Sequence, residues 1–333
     1  ATIKEIAARA GVSIGTVDRV LHNRGRVSEQ TKEIILRLVD ELGYKPNSVA
    51  KGLAIMRKKR KLTFFMIDPL YRPFFEKVLE GVKLKAEELV QYGVEVEIVL
   101  LSPTATVLSG WNHETDGIAM MPMDILEPVY RWANENHIPV VSYNMPLPQE
   151  DCLAYVGCDY QQAGRIAAGL CAIAGCSNGK VAVLSEGDDS TISYRERELG
   201  FRQEMQARYP NMQITESYTT TDECVSLEAA AEKLLAEHQD FDIVYLINPG
   251  DYSICKMIHE RMAPHSVKII TNDLMPVQYS LLEEGLITAT VCQEPERQGA
   301  ESLQILFDCV ANETVPKEPN CYTNLTIHIL QNI

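Results

Sequence analysis

From Leu62 onward, short apolar runs alternate with segments of helical periodicity, and this alternation is the feature that most constrains the fold. The apolar runs are strand candidates at 62–68, 94–101, 117–122, 139–144, 180–186, 242–248 and 267–273. Helical patterns near 74–91, 124–137, 161–175, 194–208, 226–237, 251–262 and 295–311 separate several of them. This order predicts parallel sheets with helices on both faces, and two such sheets predict a two-lobed α/β body.

The charge of the chain is divided between its two ends. Residues 1–61 hold 14 Lys or Arg and 6 Asp or Glu, a net charge of +8, whereas the whole chain has −15 and the remainder therefore −23. A basic segment ahead of an acidic body favours a polyanion-binding module, with a solvated basic face as the alternative.

The first residues and the cysteines bear on the compartment. The N-terminal segment carries charges and lacks the apolar core of a signal peptide, and no apolar run has the roughly 20 residues of a membrane helix. The nine cysteines all lie beyond residue 150 without a CxxC pair. We therefore expect a cytoplasmic protein with no membrane association, disulfide framework or zinc site.

The basic segment has the pattern of three short helices around a small apolar core. Thr2, Ser13 and Ser28 are capping residues at their starts, and Gly11 and Gly43 end the first and third. Because only a few residues separate the first two helices, we predict a helix-turn-helix, an all-α N-terminal domain. The apolar positions are Ile3, Ile6, Ala7, Ala10, Val17, Val20, Leu21, Ile34, Ile35, Leu38, Val39 and Leu42.

The run T-I-K-E-I-A-x-x-A-G-V-S, followed by T-V-D-R-V-L, Y-K-P-N and A-x-x-L, resembles the lactose-repressor family of bacterial transcription regulators. The resemblance implies that Ile14, Gly15 and Arg19 face the bases, with Arg19 able to contact guanine through two hydrogen bonds. It also implies phosphate contacts, which orient the protein without reading sequence. The phosphate-contacting positions are Thr2, Ser13, Thr16 and Asn23.

Asp18 departs from the family pattern, which usually has Ser at this position. A carboxylate facing DNA is repulsive, so Asp18 either pairs with a neighbouring Arg or accepts a hydrogen bond from a cytosine amine. Both alternatives remain open.

Residues 46–61 have the features of a linker with a short helix. Pro46 prevents the third helix from continuing, and Asn47 can cap a helix through Leu53. The resemblance implies that this hinge helix folds on the DNA of a dimer, with Asn47 and Ala50 at the DNA and Leu53 as a minor-groove wedge. Packing of Leu53 against the body is the alternative. We thus expect a DNA-binding domain at 1–45, a hinge at 46–61 and an effector and dimerisation domain at 62–333.

The body resembles the type I periplasmic sugar-binding fold, and within it the ribose-binding protein group. The matching segments are R-P-F-F, V-V-S-Y-N-M, R-E-R-E-L-G-F, N-P-G-D, T-N-D and A-T-V-C-Q-E-P-E-R-Q-G. The resemblance implies two lobes, one near 62–160 and 294–320 and the other near 161–293 and 321–333. Ligands of open parallel sheets bind at the carboxyl ends of the strands, which is where we expect the effector.

Carried over by position, Phe74 and Phe75 supply aromatic faces to a sugar, although we expect one of them to pack in the core. Arg195 donates a fork of hydrogen bonds, and Arg197 is the better candidate for a surface helix charge. Amide and carboxylate groups after strands bind adjacent hydroxyls, with a turn or cap role as the alternative. These residues are Asn144, Asn248, Asp273 and Gln293.

Two departures concern the identity of the effector. Arg72 stands where the ribose-binding pattern has Asn, and Met145 stands where it has part of an Asp-Arg pair. We therefore expect an effector other than plain ribose. Arg72 together with Arg195 favours an acidic sugar or a sugar phosphate, which is a hypothesis.

The sequence contains no GxxxxGK[ST], HExxH or GxSxG motif, so we expect no catalytic residues, cofactor or metal. The interpretation that fits both parts of the chain is a repressor of carbohydrate genes that binds a palindromic operator as a homodimer under control of a sugar. The alternatives are a sugar-binding receptor for transport and an architectural DNA-binding protein.

Overall fold

The structure is a computed structural model that describes residues 2–21, 25, 27–44, 58–106, 108, 110–148, 152–185, 192–219, 226–247 and 252–333. The chain forms two compact units, Ala1–Lys58 and Lys59–Ile333. In the described ranges, no helix is both long enough and apolar enough to cross a membrane. Five expected site residues lie outside these ranges: Asn23, Asn47, Ala50, Leu53 and Asn248.

The first unit contains the helices α1 (Ile3–Ala10), α2 (Ile14–Leu21) and α3 (Glu29–Glu41). The hydroxyl of Thr2 accepts a hydrogen bond from the Glu5 amide at 3.2 Å, and that of Ser28 accepts one from the Thr31 amide at 3.3 Å. Such bonds satisfy amides that a helix N-terminus leaves without a partner. Gly11 has a φ of 65°, which lets the chain leave α1 and enter α2 within a few residues.

The core of this unit is small. The predicted face of each helix is confirmed except at Ile34, which is 44% exposed because its neighbour Ile35 occupies the buried position. The buried residues of the cluster are Ile6, Ala7, Val17, Val20 and Ile35.

The strands and helices of the second unit alternate along the chain. The strands are β1 (Arg60–Ile67), β2 (Val94–Leu101), β3 (Gly117–Met120), β4 (Val140–Tyr143), β5 (Ala154–Gly157), β6 (Lys180–Ser185), β7 (Gln213–Thr219), β8 (Ile243–Ile247), β9 (Lys268–Asn272), β10 (Ala289–Cys292), β11 (Asn320–Tyr322) and β12 (Thr326–His328). The helices are α4 (Phe74–Val90), α5 (Glu127–Glu135), α6 (Tyr160–Ala174), α7 (Ile192–Arg208), α8 (Leu227–Glu237), α9 (Ser253–Met262), α10 (Pro276–Glu283) and α11 (Pro295–Asn312).

These strands form two six-stranded sheets, one in each lobe. The order is β11-β5-β4-β3-β1-β2 in lobe 1 and β12-β10-β9-β8-β6-β7 in lobe 2. All pairs are parallel except β12 with β10. Residues 62–67 of β1 and 243–247 of β8 are buried without interruption, as expected for strands with helices on both faces. The predicted two-lobed α/β fold is confirmed.

Every strand and helix predicted for the body is present, with ends shifted by a few residues. The sequence did not predict five strands or the helix α10. Four of these strands have only three or four residues, and β7 is rich in polar side chains, so their apolar pattern is weak. The elements not predicted are β5, β7, β10, β11, β12 and α10.

The chain passes between the lobes three times, at 158–159, 293–294 and 323–325. The last crossing lies slightly beyond the position near 320 expected from the sequence. The carboxylate of Glu294 accepts hydrogen bonds from the backbone amide of Asn324 at 2.9 Å and from its side chain at 3.2 Å. These bonds fasten the second crossing to the third.

Candidate functional site

The first candidate site is the exposed face of α2. Ile14 is 48% exposed, and Gly15 and Arg19 are also exposed, whereas Val17 and Val20 of the same helix are buried in the core. The helix therefore presents the three residues expected to face bases on its solvent side. The Nε of Arg19 donates to the carbonyl of Gly15 at 3.0 Å, so this guanidinium lies along the helix and must turn outward to reach a base.

The residues expected at phosphates surround the start of the same helix. The Ser13 hydroxyl accepts from the Thr16 amide at 3.2 Å and lies 2.9 Å from the Thr16 hydroxyl. Thr2 caps α1, as described above. All three hydroxyls therefore have a local structural role, which is compatible with a phosphate contact because a hydroxyl has one donor and two acceptor sites. Asp18 is half-buried on α2.

The second candidate site lies between the lobes, at the carboxyl ends of the strands. Asn144 follows β4, Asp273 follows β9 and Gln293 follows β10. The Gln293 amide donates to Oδ1 of Asp273 at 2.8 Å, and the Asn144 amide donates to Oε1 of Gln298 at 3.3 Å. Gln298 in turn donates to Oε1 of Gln293 at 3.1 Å. The structure thus brings three of the expected residues together through a fourth that the sequence did not indicate.

The two phenylalanines of α4 have different surroundings. Phe75 is 5% exposed and packs in lobe 1, whereas Phe74 is half-buried and lines a cavity of about 270 Å³ that also reaches Asp273 and Gln293. Their rings are perpendicular at 5.3 Å between centroids. Phe74 is therefore the ring offered to the cavity, and Phe75 supports it from the core.

The two arginines of α7 have the opposite exposure from that expected. Arg195 is 54% exposed and its Nε donates to Glu196 at 3.2 Å, whereas the side chain of Arg197 is 2% exposed. The guanidinium of Arg197 lies 3.9 Å from Oδ2 of Asp273 and over the ring of Tyr160, 5.0 Å from its centroid. The interpretation of Arg197 as a surface charge is wrong, because the face of α7 that carries Arg197 packs against the rest of lobe 2.

Glycine spacing explains why α7 turns this face inward. A Cβ at Gly164 of α6 would collide with the carbonyl of Arg197, and a Cβ at Gly200 of α7 would collide with the carbonyl of Gln161. The two helix backbones are therefore in direct contact. Arg197 and Gly200 are three residues apart and share a helix face. The R-x-x-G spacing places Arg197 on the face of Gly200, but the sequence alone does not show that this face packs against α6.

Burial dominates the electrostatics of the cleft. Burial raises the pKa of Asp273, while the Arg197 charge and the Gln293 hydrogen bond act in the opposite direction. Burial is the largest influence on the pKa of Arg197 and lowers it, but Asp273 and the weaker effects of Cys158, Tyr160 and Tyr245 together raise the pKa above its ordinary value. Arg197 therefore stays charged. Burial also raises the pKa of the Cys158 thiol to about 12, which leaves this cysteine protonated and a poor nucleophile.

Arg72 is exposed in the loop before α4. Since Arg195 also points to solvent and pairs with Glu196, these two arginines do not form a joint buried charge. The cleft therefore contains an ion pair of the buried Arg197 with Asp273, whose side chain is 19% exposed, and aromatic and amide groups lie around this pair. In the part of the chain that the structure describes, no group of three or more His, Cys, Asp or Glu is placed to hold a metal ion. The charged, aromatic and amide groups of the cleft suit a polyhydroxylated ligand.

Two family models match the chain. The model for bacterial regulatory proteins of the lacI family matches residues 2–47, and that for a periplasmic binding protein domain matches residues 64–314.

Relatives of similar length cover almost the whole chain. The ribose operon repressor of Lactococcus lactis subsp. lactis is 24% identical over 95% of this chain and 93% of its own length. The transcriptional regulator CelR of Thermobifida fusca is 26% identical, with 94% and 93% covered. Catabolite control protein A of Priestia megaterium is 26% identical, with 94% of each chain covered.

Solved structures share the fold of the body. A LacI transcriptional regulator, described as putative, from Bacteroides fragilis has a TM-score of 0.70 at 19% identity, with 83% of this chain and 98% of that chain covered. The glucose-galactose binding protein GanP from Geobacillus stearothermophilus has a TM-score of 0.69 at 22% identity, with 83% and 99% covered. The same body fold therefore occurs both in a regulator and in a sugar-binding protein.

Proposed function

Because the chain belongs to the lacI family of bacterial regulatory proteins and carries a periplasmic binding protein domain, we propose that it represses genes of carbohydrate metabolism under the control of a sugar-derived effector. The observation that carries this proposal is the polar cluster of Asn144, Asp273, Gln293 and Arg197 between the lobes, on a chain that also has an exposed recognition helix. A protein that only shaped DNA would have no need of such a cluster.

In this proposal α2 enters the major groove. Ile14 and Arg19 contact base edges, the backbone at Gly15 approaches the DNA closely, and the hydroxyls of Thr2, Ser13 and Thr16 contact phosphates. Asn23, Asn47, Ala50 and Leu53 extend this contact by resemblance to the family. The protein acts as a homodimer on a palindromic operator, because two recognition helices need two half-sites. It does so in the cytoplasm and without catalysis.

The effector is a sugar, a sugar acid or a sugar phosphate. Its hydroxyls bond to Asn144, Asp273, Gln293 and Arg197, and Phe74 packs on one face of its ring. Arg72, in the loop before α4, is by resemblance to the ribose-binding pattern the proposed contact for an anionic substituent. Effector binding opens or closes the two lobes and, through residues 46–61, changes the affinity for the operator. A difference of a few kcal/mol between the effector's binding to the two conformations is enough to shift operator occupancy.

The test is a thermal-shift screen of the full chain against pentoses, hexoses, polyols, uronates and sugar phosphates. A true effector raises the melting temperature in proportion to its saturation. Each compound that does so is added to a binding assay with the palindromic DNA that the protein selects from a random pool. We expect at least one compound both to stabilise the protein and to change its DNA affinity.

The outcomes separate the alternatives. Stabilisation by a sugar without any selected DNA would instead support a sugar receptor, the interpretation to which the fold of GanP is relevant. Selected DNA whose binding no compound changes would support a DNA-binding protein without an effector. Arg72→Gln distinguishes acidic from neutral effectors, because it should weaken binding of the acidic compounds alone.

A further inference from the structure

A chain of side-chain amides runs between the lobes beneath the cleft. It begins at Asn144 in lobe 1, passes through Gln298 of α11 and Gln293 at the second crossing, and ends on Asp273 in lobe 2. The donor-to-acceptor distances are 3.3, 3.1 and 2.8 Å in that order. Gln298 is fully buried and Gln293 is 3% exposed, so water does not compete for these bonds.

A second path of contacts connects the two ends of this series of amides. Oδ2 of Asp273 lies 3.9 Å from Arg197, whose guanidinium lies over the ring of Tyr160. The Tyr160 hydroxyl donates to the backbone carbonyl of Asn144 at 2.7 Å. Asp273 of lobe 2 is thus connected to Asn144 of lobe 1 by two routes. One passes through the side-chain amides and the other through Arg197 and Tyr160.

The bonds of the amide chain all point in one direction, and the carboxylate determines it. An ionised carboxylate only accepts hydrogen bonds, so Gln293 must turn its NH2 group to Asp273. Its oxygen then faces Gln298, whose NH2 group donates to that oxygen at 3.1 Å and to the backbone carbonyl of Gln293 at 3.3 Å, so that the oxygen of Gln298 faces Asn144. Asn144 therefore directs its NH2 group at Gln298. A change at Asp273 should therefore alter the orientation of the Asn144 side chain, which belongs to the other lobe.

We propose that Gln298 is a positioning residue that couples the two lobes by passing the orientation imposed by Asp273 to Asn144. We call the path from Asp273 through Gln293 and Gln298 to Asn144 the relay. The inference rests on the proposed function, because the two ends of the relay are residues proposed to hold the effector. A buried glutamine side chain is costly unless its donor and acceptor are both used, and here both are used in the connection between the lobes. An apolar residue would fill the same space without linking the lobes.

The test uses hydrogen exchange of the full chain without any ligand. The backbone amide of Asn144 donates to Val156 at 3.0 Å and that of Asp273 donates to Val291 at 2.8 Å, so both amides report on the ends of the relay. We expect Gln298→Met to accelerate exchange at least three-fold in peptides covering 140–148 and 268–276. A peptide covering β6 serves as the reference within lobe 2 and should not change.

The matched control is Gln304→Met, on the same helix. Gln304 donates to Asp308 at 3.0 Å and accepts from Lys85 at 3.2 Å, so its bonds stay within lobe 1. We expect this variant to leave both peptides unchanged. Acceleration confined to residues 295–312, or equally large in β6, would overturn the proposal.

A second variant tests the direction of the relay. In Gln298→Glu, the new carboxylate can still accept the hydrogen bond from Asn144. Its other oxygen, however, faces the side-chain oxygen of Gln293, and these two acceptors repel each other. Exchange should therefore accelerate in 268–276 and stay close to that of the unaltered protein in 140–148. Equal acceleration at both ends would contradict a relay that runs from Asp273 to Asn144. Since neither variant requires an effector or an operator, a failed relay leaves the proposed repressor function standing, and a failed DNA selection leaves the relay standing.

Discussion

The helix-turn-helix unit and the inter-lobe cleft place their candidate binding residues in opposite surroundings. In the first, Ile14 and Arg19 extend from a helix whose inner face is held by a few buried apolar residues. In the second, Arg197 and Gln293 are buried and hold one another in position through Asp273. The two residues proposed to contact bases are therefore separate from the core that supports them, whereas the cleft residues are part of the structure that holds them in place.

This difference has consequences for mutations. Replacing Ile14 or Arg19 should reduce DNA affinity and change stability little, because both side chains are exposed and lie outside the core of this unit. Replacing a buried cleft residue should reduce both effector affinity and stability, because its partner loses a hydrogen bond or ion pair that little water can replace. Four predictions test this contrast, beginning with the largest effect.

Arg197→Met should destabilise the protein by about 3–5 kcal/mol, because it leaves the carboxylate of Asp273, which is mostly but not fully buried, without its positive partner. The free energy of unfolding is measured by urea denaturation followed by circular dichroism. The matched control is Arg195→Met on the same helix, whose side chain is 54% exposed and pairs with Glu196; its effect should stay below about 0.5 kcal/mol. Equal losses in both variants would show that Arg197 carries no buried charge pair.

Ile35→Ala should cost about 2–5 kcal/mol in the helix-turn-helix unit, because it opens a cavity in a core that few residues form. Ile34→Ala, one residue earlier and 44% exposed, is the control and should cost much less. Loss of DNA binding with retained thermal unfolding of the body is the expected signature of Ile35→Ala. Similar behaviour of the two variants would mean that the core is not arranged around Ile35.

Arg19→Met should weaken binding to the selected DNA by about 1–3 kcal/mol, roughly 5- to 150-fold, because one bidentate base contact is lost. Its thermal stability should be unchanged. Arg37→Met is the control, since Arg37 is exposed on α3 and pairs with Glu33. If Arg19→Met melts at a lower temperature, the separation of binding from stability in this unit is incorrect.

The smallest effect concerns pH. Burial raises the pKa of Asp273 in the folded protein above its ordinary value, so between the two values the folded state holds a proton that the unfolded state has lost. The contribution of Asp273 to stability therefore falls as pH rises through this interval.

Arg197→Met removes a group that lowers this pKa, so it should widen the interval. The stability lost in this variant should grow as pH rises above the ordinary pKa of an aspartate, by at most about 1.4 kcal/mol per pH unit. The double variant with Asp273→Asn should show no such growth. A pH-independent loss in the single variant would assign the destabilisation to packing instead of charge.

Much of the fold was accessible from the sequence because buried parallel strands and amphipathic helices leave a clear apolar pattern. The short strands β11 and β12 were not, since three residues carry too little pattern and their pairing partners lie far away in the chain. In the cleft, Asn144 and Asp273 were identified because each follows a predicted strand, and Gln293 because it lies in a segment that resembles the ribose-binding group. Gln298 was missed because it lies inside a helix, where a polar residue indicates nothing by itself.

The sequence alone determined the alternation of strands and helices, the division of charge and most of the residues that the helix-turn-helix exposes, because these depend on local spacing. Only the tertiary structure decided which arginine of α7 is buried and which amides connect the lobes. Arg195 and Arg197 lie on the same helix with similar neighbours, and the choice between them depends on the close contact of α7 with α6 at Gly164 and Gly200. Contacts of this kind join residues distant in the chain, and no local pattern records them.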